Sequence, residues 1–202
     1  MDVYDAVTSR RAVRGFTGQP VPREVLERVL SAARWSPSGS NLQPWHTYVL
    51  TGAPLAELKK LAVERVAAGD PWDEREYEMY PPALKSPYSE RRSAFGKERY
   101  SALGIAREDW EARQRAALAN WDCFGAPAAL FCYVAATWVH PNGRTSACIC
   151  RPSCCCCAPK GCTVAPQMAW SQVSQDRRAG PVTPGRAHPL LWHVDRVRGM
   201  QS

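Results

Sequence analysis

Residues 36–50 read SPSGSNLQPWHTYVL. The first nine carry Pro37, Gly39 and Pro44 among hydroxyl and amide side chains, a loop composition. His46–Leu50 then alternates and branches like a strand, closed by Thr51-Gly52. Just upstream, Pro22–Trp35 has a helical pattern. Pro22 suits a first turn, and Val25, Leu26, Val29, Leu30 and Ala33 form one apolar stripe. Helix, polar loop and strand follow one another within thirty residues, which identifies an α/β unit.

Reading outward, the patterning predicts helices over Asp2–Arg10, Pro54–Ala67 and Glu108–Trp121. Gly69–Arg92 mixes prolines, aromatics and charges and reads as a long surface excursion, in which Asp70–Pro82 could serve as a lid or as a plain solvated loop. Ala128–Val134 reads as a strand apolar on both faces. His46 falls in a strand and is expected to be structural. No Ser–His–Asp set, phosphate-binding P-loop or G-x-G-x-x-G is present.

The chain has 202 residues, a formal charge of +7 and nine cysteines. That length suits one domain, with or without a small appendage. No run approaches the ~20 apolar residues of a membrane span. The first residues, MDVYDAVTSRR, lack the apolar run of a secretory signal, so the expected location is cytoplasmic. The charge is uneven: residues 1–134 hold 18 Lys+Arg and 17 Asp+Glu, residues 135–202 hold 8 and 2. Seven of the nine cysteines lie between Cys148 and Cys162.

Two motifs together carry a family resemblance: SRRAVRGFTGQPVP over 9–22 and SPSGSNLQPWHTYVL over 36–50. At this spacing they resemble the flavin-dependent nitroreductases. NWDCFGAPAALFCY over 120–133 is similar to that family's next strand, and the likeness resumes at PQMAW, 166–170. The resemblance implies an α+β fold with a central mixed sheet flanked by helices, in an intertwined homodimer with FMN at the interface. It implies a ping-pong reaction: NADH or NADPH reduces the flavin, and a nitroaromatic or quinone-like small molecule then accepts two electrons. The flavin carries the chemistry and the protein tunes it, so no catalytic side chain and no metal is expected.

The resemblance also assigns residues. Arg10 and Arg11 lie at the phosphate and ribityl end, and Arg14 beside the N1–O2 edge, which becomes negative on reduction. Ala12 stands where the family often has Ser, so one hydroxyl contact to phosphate is missing. Pro37, Ser38, Gly39, Ser40, Asn41 and Gln43 form a loop reaching the partner subunit's flavin. Pro166, Gln167, Met168 and Ala169 form a second loop, whose backbone N–H groups at Met168 and Ala169 meet flavin N5 and O4.

The cysteine-rich stretch reads differently. Four consecutive residues, Cys154–Cys157, cannot converge on one ion, and the spacings fit no zinc ribbon or finger. A disulfide framework is not expected without an export signal. Cysteine codons are TGC or TGT. Shifted so that each codon's last base opens the next, every Cys–Cys junction becomes CTG or TTG, both leucine. All seven clustered cysteines become Leu, Met or Val, and 136–164 can then be re-read as an amphipathic segment like the family's long core helix. In the remaining frame, 174–202 can be re-read as the family's closing strand. The expectation is a nitroreductase-like domain over 1–173, with 135–165 frameshifted and doubtful, and 174–202 an aberrant or disordered basic tail. Loss of the core helix predicts weak or absent flavin binding. The alternative is a genuine basic, Cys-rich, non-catalytic binding module. Pro181, Pro184 and Pro189 and the absence of interleaved aromatics speak against nucleic acid as its partner.

Overall fold

The computed structural model describes residues 2–69, 80–135, 170 and 187–190. Helix α1 is Val3–Ser9. It starts at a capping box: the Asp2 carboxylate accepts from the Asp5 N–H at 2.8 Å, and the Asp5 carboxylate accepts from the Asp2 N–H at 3.3 Å. Helix α2 is Arg23–Ala33 and buries Val29 and Ala33 from the predicted stripe. Pro22 is its N-cap rather than its first-turn residue. Trp35 lies past its end, 80% exposed.

Strand β1, Trp45–Thr51, runs directly into α3, Gly52–Ala67, two residues earlier than Pro54 suggested. Gly52 makes the corner with φ +56°, where a side chain would be strained. Helix α4 is Tyr88–Ala102 and α5 is Trp110–Leu118. Strand β2 is Ala128–Ala135 and β3 is Ala187–Leu190.

Helix α4 corrects the reading of a surface excursion reaching Arg92. It buries no residue, so it lacks the apolar stripe that marks a helix in a sequence. Helix α5 is shorter than expected. After it, Trp121 turns inward, and Cys123–Gly125 forms a 3-10 turn.

The sheet order is β1-β2-β3. Both pairings are antiparallel, Val49 opposite Leu130 and Cys132 opposite Leu190. The parallel pairing of a mixed sheet is not found among the described residues. Strand β3 comes from the stretch read as a tail; the rest of 174–202, and 136–169 with its cysteine cluster, lie outside the described residues, as does most of the suggested lid.

The main core gathers Leu55 and Ala62 of α3, Trp121, Cys123 and Ala126 of the approach to β2, Phe131 of β2, and Trp170. Burying each large side chain contributes about 1.5–3 kcal/mol. A second cluster joins Ala33, Cys132 and Trp45, and so sets the end of α2 against the sheet. That contact fixes both ends of the 36–44 loop.

Candidate functional site

The arginine segment leaves α1 at Arg10, whose ψ of 126° breaks the helix into extended chain. Arg10 is half-buried and Arg11 exposed. Arg11 Nη1 donates to the carbonyls of Thr8 at 2.6 Å and Arg10 at 3.0 Å, which fixes its side chain against the end of α1. Ala12 is half-buried in an isolated β-bridge. The Arg14 guanidinium carbon lies 5.3 Å from the centroid of the Phe95 ring, a cation–π contact with α4. Arg14 is held below the ordinary arginine pKa, chiefly by burial and further by the charge of Arg99; it remains a cation at neutral pH.

The segment is tied down two residues later. Phe16 N–H donates to the Phe124 carbonyl at 3.2 Å. Cys123, Phe124 and Gly125 have φ of +51°, +55° and +78°, the left-handed region. Two of the three are not glycine, a strained arrangement that persists only when its surroundings hold it. Phe124 N–H reaches the Ala119 carbonyl at 2.8 Å, and Lys59 Nζ donates to the Ala126 carbonyl at 2.7 Å. Lys59 also stands 3.7 Å from an Asp122 carboxylate oxygen. Helix α3 thereby braces the turn that braces the arginine segment. Burial pushes the Cys123 thiol up to about 12; Lys59 opposes this and Asp122 adds to it.

The 36–44 loop has its own scaffold. Ser36 is buried, its Oγ donating to the Ala33 carbonyl at 2.6 Å. Ser38 is half-buried and its Oγ accepts from the Gln43 N–H at 2.9 Å. Gly39–Asn41 is a single 3-10 turn. Ser40, Asn41 and Gln43 have φ of +51°, +54° and +47°. Gln43 Nε2 donates to Asn41 Oδ1 at 2.9 Å. Pro37, Gly39, Ser40, Asn41 and Gln43 are all exposed. The structure therefore gathers the predicted loop residues into one strained, outward-facing turn, and the predicted arginines into one separately braced segment.

Pro166, Gln167, Met168 and Ala169 lie outside the described residues, but Trp170, which follows them, is 2% exposed in the core. His46, read as structural, is exposed on β1. The sequence reading missed Phe95 and Arg99. Tyr88, Arg92, Phe95 and Arg99 recur at spacings of four, three and four, one face of a helix, and that was the signal available. It also missed Lys59, whose role depends on a carbonyl 67 positions away.

Among the described residues no carboxylate pairs with Arg10, Arg11, Arg14 or Arg99. The unneutralised guanidiniums of Arg10 and Arg11 suit a dianionic phosphate and that of Arg14 a second negative edge, while the turn at 38–43 offers hydroxyls, amides and outward peptide groups. The donor set thus suits a phosphorylated, polar-edged cofactor of the FMN type. Among the described residues no group of three or more metal-ligating side chains is found, and no helix is long and apolar enough to cross a membrane.

The chain is similar to known proteins along much of its length. A nitrobenzene nitroreductase from Ectopseudomonas oleovorans is 39% identical over 128 residues, 63% of this chain and 56% of that protein. A 4-nitrobenzoate reductase from Nocardioides sp. (strain LMS-CY) is 38% identical over 152 residues, 74% of this chain and 60% of that protein. The matches thus span under two thirds of these relatives' length. Among solved structures, the FMN and NADPH-dependent nitroreductase NfnB from sphigopyxis sp. strain HMH superposes with a TM-score of 0.85 at 29% identity, over 96% of this chain and 89% of that one. NfnB from Mycobacterium smegmatis, solved with NADPH, gives 0.85 at 25% identity, over 95% and 87%. The nitroreductase family model matches residues 7–144, more than half of the sequence, and the chain belongs to that family, with its fold.

Proposed function

We propose that this chain is an FMN-dependent oxidoreductase that uses NADH or NADPH to reduce nitroaromatic or quinone-like acceptors. The observation that carries the reading is the set of Arg10, Arg11 and Arg14, three cations in five positions with no acidic partner among the described residues. Arg10 and Arg11 hold the phosphate and ribityl end. Arg14 provides positive charge at the N1–O2 edge. Ser38, Ser40, Asn41 and Gln43, carried by the turn that includes Pro37 and Gly39, would hydrogen-bond a flavin edge from across a homodimer interface, and the family resemblance would bring the backbone N–H groups of Met168 and Ala169, which lie outside the described residues, to N5 and O4. The chemistry that FMN supplies when bound is ping-pong two-electron transfer, hydride in from NAD(P)H and two electrons out to the acceptor.

The homodimer draws support from apolar surface left open on one chain: Val3 and Tyr4 of α1 are 76% and 82% exposed, and Trp35 beside the loop is 80% exposed. Val3 and Tyr4 are neighbours on α1, and a partner chain would cover apolar area of this kind. The reading includes no nucleic-acid or membrane partner and assumes a cytoplasmic location.

A second reading is favoured by the cysteine cluster. If 135–165 and 174–202 are out of frame, the domain of 1–173 lacks its core helix, and flavin binding is weak. One titration separates the readings. The purified protein is titrated with FMN by fluorescence quenching, then assayed for NADPH oxidation with nitrobenzene at saturating FMN. Binding with turnover supports the oxidoreductase, and the dissociation constant reports how much the C-terminal third costs. No binding at millimolar FMN sinks the first reading.

A further inference from the structure

Arg99 is the fourth cation at this site and has no assigned role. It sits one turn after Phe95 on α4, and the Phe95 ring carries the Arg14 guanidinium at 5.3 Å. Arg99 is half-buried, and its Nη2 donates to the Ala116 carbonyl of α5 at 3.2 Å, so its head is held between two helices. Its Nε is buried without a hydrogen-bond partner. No carboxylate pairs with it among the described residues, and its charge weighs directly on Arg14. Two interacting like charges, one of them half-buried, are unfavourable for the chain alone. The arrangement gains when negative charge develops in front of Arg14.

We propose that Arg99 is a positioning residue that acts through Arg14, as a fixed second positive charge favouring the reduced over the oxidised form of a flavin at the Arg14 end of the site. The inference rests on the flavin reading above. Two-electron reduction adds two electrons and one proton, together the hydride from NAD(P)H, and leaves one net negative charge at the N1–O2 edge. Arg14 meets that charge. Arg99, pinned by Ala116 one helical turn from the Phe95 ring, holds the Arg14 guanidinium off α4 by like-charge repulsion and so turns it toward that charge, without touching the ligand. Its contribution is nearly silent for the neutral oxidised ring, so it raises the reduction potential more than it raises FMN affinity.

The test compares wild type, Arg99→Gln, Arg99→Lys, Arg14→Gln and the Arg14→Gln/Arg99→Gln double variant. Each is titrated with oxidised FMN, and its two-electron midpoint potential is measured by dye equilibration at saturating FMN. For Arg99→Gln we expect oxidised-FMN affinity within about twofold of wild type, and a reduced-to-oxidised affinity ratio lowered about tenfold, which is roughly 30 mV for a two-electron couple. Arg99→Lys restores the potential at pH 7 and loses that restoration as pH passes about 10.4, where its ammonium titrates. This second measurement stands even if Arg99→Gln fails to fold. In the Arg14→Gln background, removing Arg99 shifts the potential by much less. Equal shifts for Gln and Lys at pH 7 overturn the proposal, since they report only the lost Ala116 bond. An unchanged potential, or a full shift without Arg14, also overturns it. A protein that binds no FMN overturns the flavin reading and this inference together; one that binds FMN with an unmoved potential overturns this inference alone.

Discussion

The indole Nε1–H of Trp170 donates to the Asn120 carbonyl at 3.1 Å, across fifty residues of chain. The ring packs edge-on against Trp121, 5.3 Å between centroids, and against Phe131 at 5.7 Å. The contact joins the residue after Pro166–Ala169 to the approach of β2, so the chain is anchored there. Trp170→Phe keeps most of the packing and removes one hydrogen bond, while the Asn120 carbonyl still accepts from the Cys123 N–H at 3.2 Å, for an expected loss of about 1 kcal/mol. Trp170→Ala opens a cavity in the main core and should cost about 3–5 kcal/mol. Urea denaturation checks both; equal losses for Phe and Ala would show that the ring is not packed.

Lys59 supports a different joint. Its side chain is 15% exposed, donates to the Ala126 carbonyl, and lies beside Asp122, which is 53% exposed. Lys59→Met retains the alkyl stem but leaves that carbonyl without its donor, an expected loss of about 1–3 kcal/mol. Asp122→Asn should cost under about 1 kcal/mol, because water already screens the carboxylate. A larger effect from Asp122 than from Lys59 would mean that the ion pair, not the hydrogen bond to the backbone, braces the turn.

How far the sequence reveals this architecture depends on where the information lies. Helix α2 is plain because its stripe is buried at Val29 and Ala33, with Ala33 packed on Cys132 and Trp45 of the sheet. The loop at 36–44 is plain because prolines, glycine and amides have few other uses in succession. Helix α4 is hidden because none of its residues is buried, so burial leaves no periodic trace. The same helix supplies Phe95 and Arg99, whose trace in the sequence is their recurrence with Tyr88 and Arg92 on one helical face. The left-handed backbone at Ser40, Asn41, Gln43, Cys123 and Phe124 is also invisible in composition, since only Asn commonly adopts it. The brace from Lys59 to Ala126 depends on tertiary contact that no local pattern encodes.

Cys123 gives a pH signature. Burial raises its pKa from the ordinary 9.0 to about 12. The folded state therefore holds the proton more tightly than the unfolded chain does. This contribution to stability is complete below the unfolded value near 9 and is lost as pH climbs toward the folded value near 12. The decline is about 1 kcal/mol for each pH unit at its steepest. Cys123→Ala should remove that part of the slope between pH 9 and pH 12. Lysines and tyrosines titrate in the same range, so the measurement is the difference between the two proteins' denaturation free energies at each pH. Coincident slopes would disprove the assignment.

Ala12 tests the phosphate end of the proposed flavin site. It lies between Arg11 and Arg14, half-buried, where the family resemblance expects a hydroxyl. Ala12→Ser adds one donor toward a dianion, and a hydrogen bond to a charged group contributes about 1.5–3 kcal/mol. FMN affinity should tighten by roughly tenfold or more, at about 1.4 kcal/mol per decade. Fluorescence titration of both proteins reads it directly. Unchanged or weaker binding, with the fold intact by circular dichroism, would place the phosphate elsewhere.

The frame hypothesis makes the most exacting prediction, because it concerns bases rather than energies. A single shift over residues 135–165 turns each junction within Cys154–Cys157 into leucine whichever cysteine codons were used, so this outcome needs no assumption about the gene. A buried leucine contributes about 1.5–3 kcal/mol. Several lost together approach the ~5–15 kcal/mol that stabilises a whole domain. The coding DNA should therefore carry single-base insertions or deletions near codon 135, near 164–165 and near 173–174. Restoring the frame should tighten FMN binding and raise the melting temperature. The same restoration should remove the C-terminal excess of positive charge and the run of four cysteines, because the shifted readings balance basic with acidic residues and turn the Cys–Cys junctions into leucine. A reproducible uninterrupted frame, with a restored chain no more stable than the present one, would show that the basic, cysteine-rich third belongs to the protein.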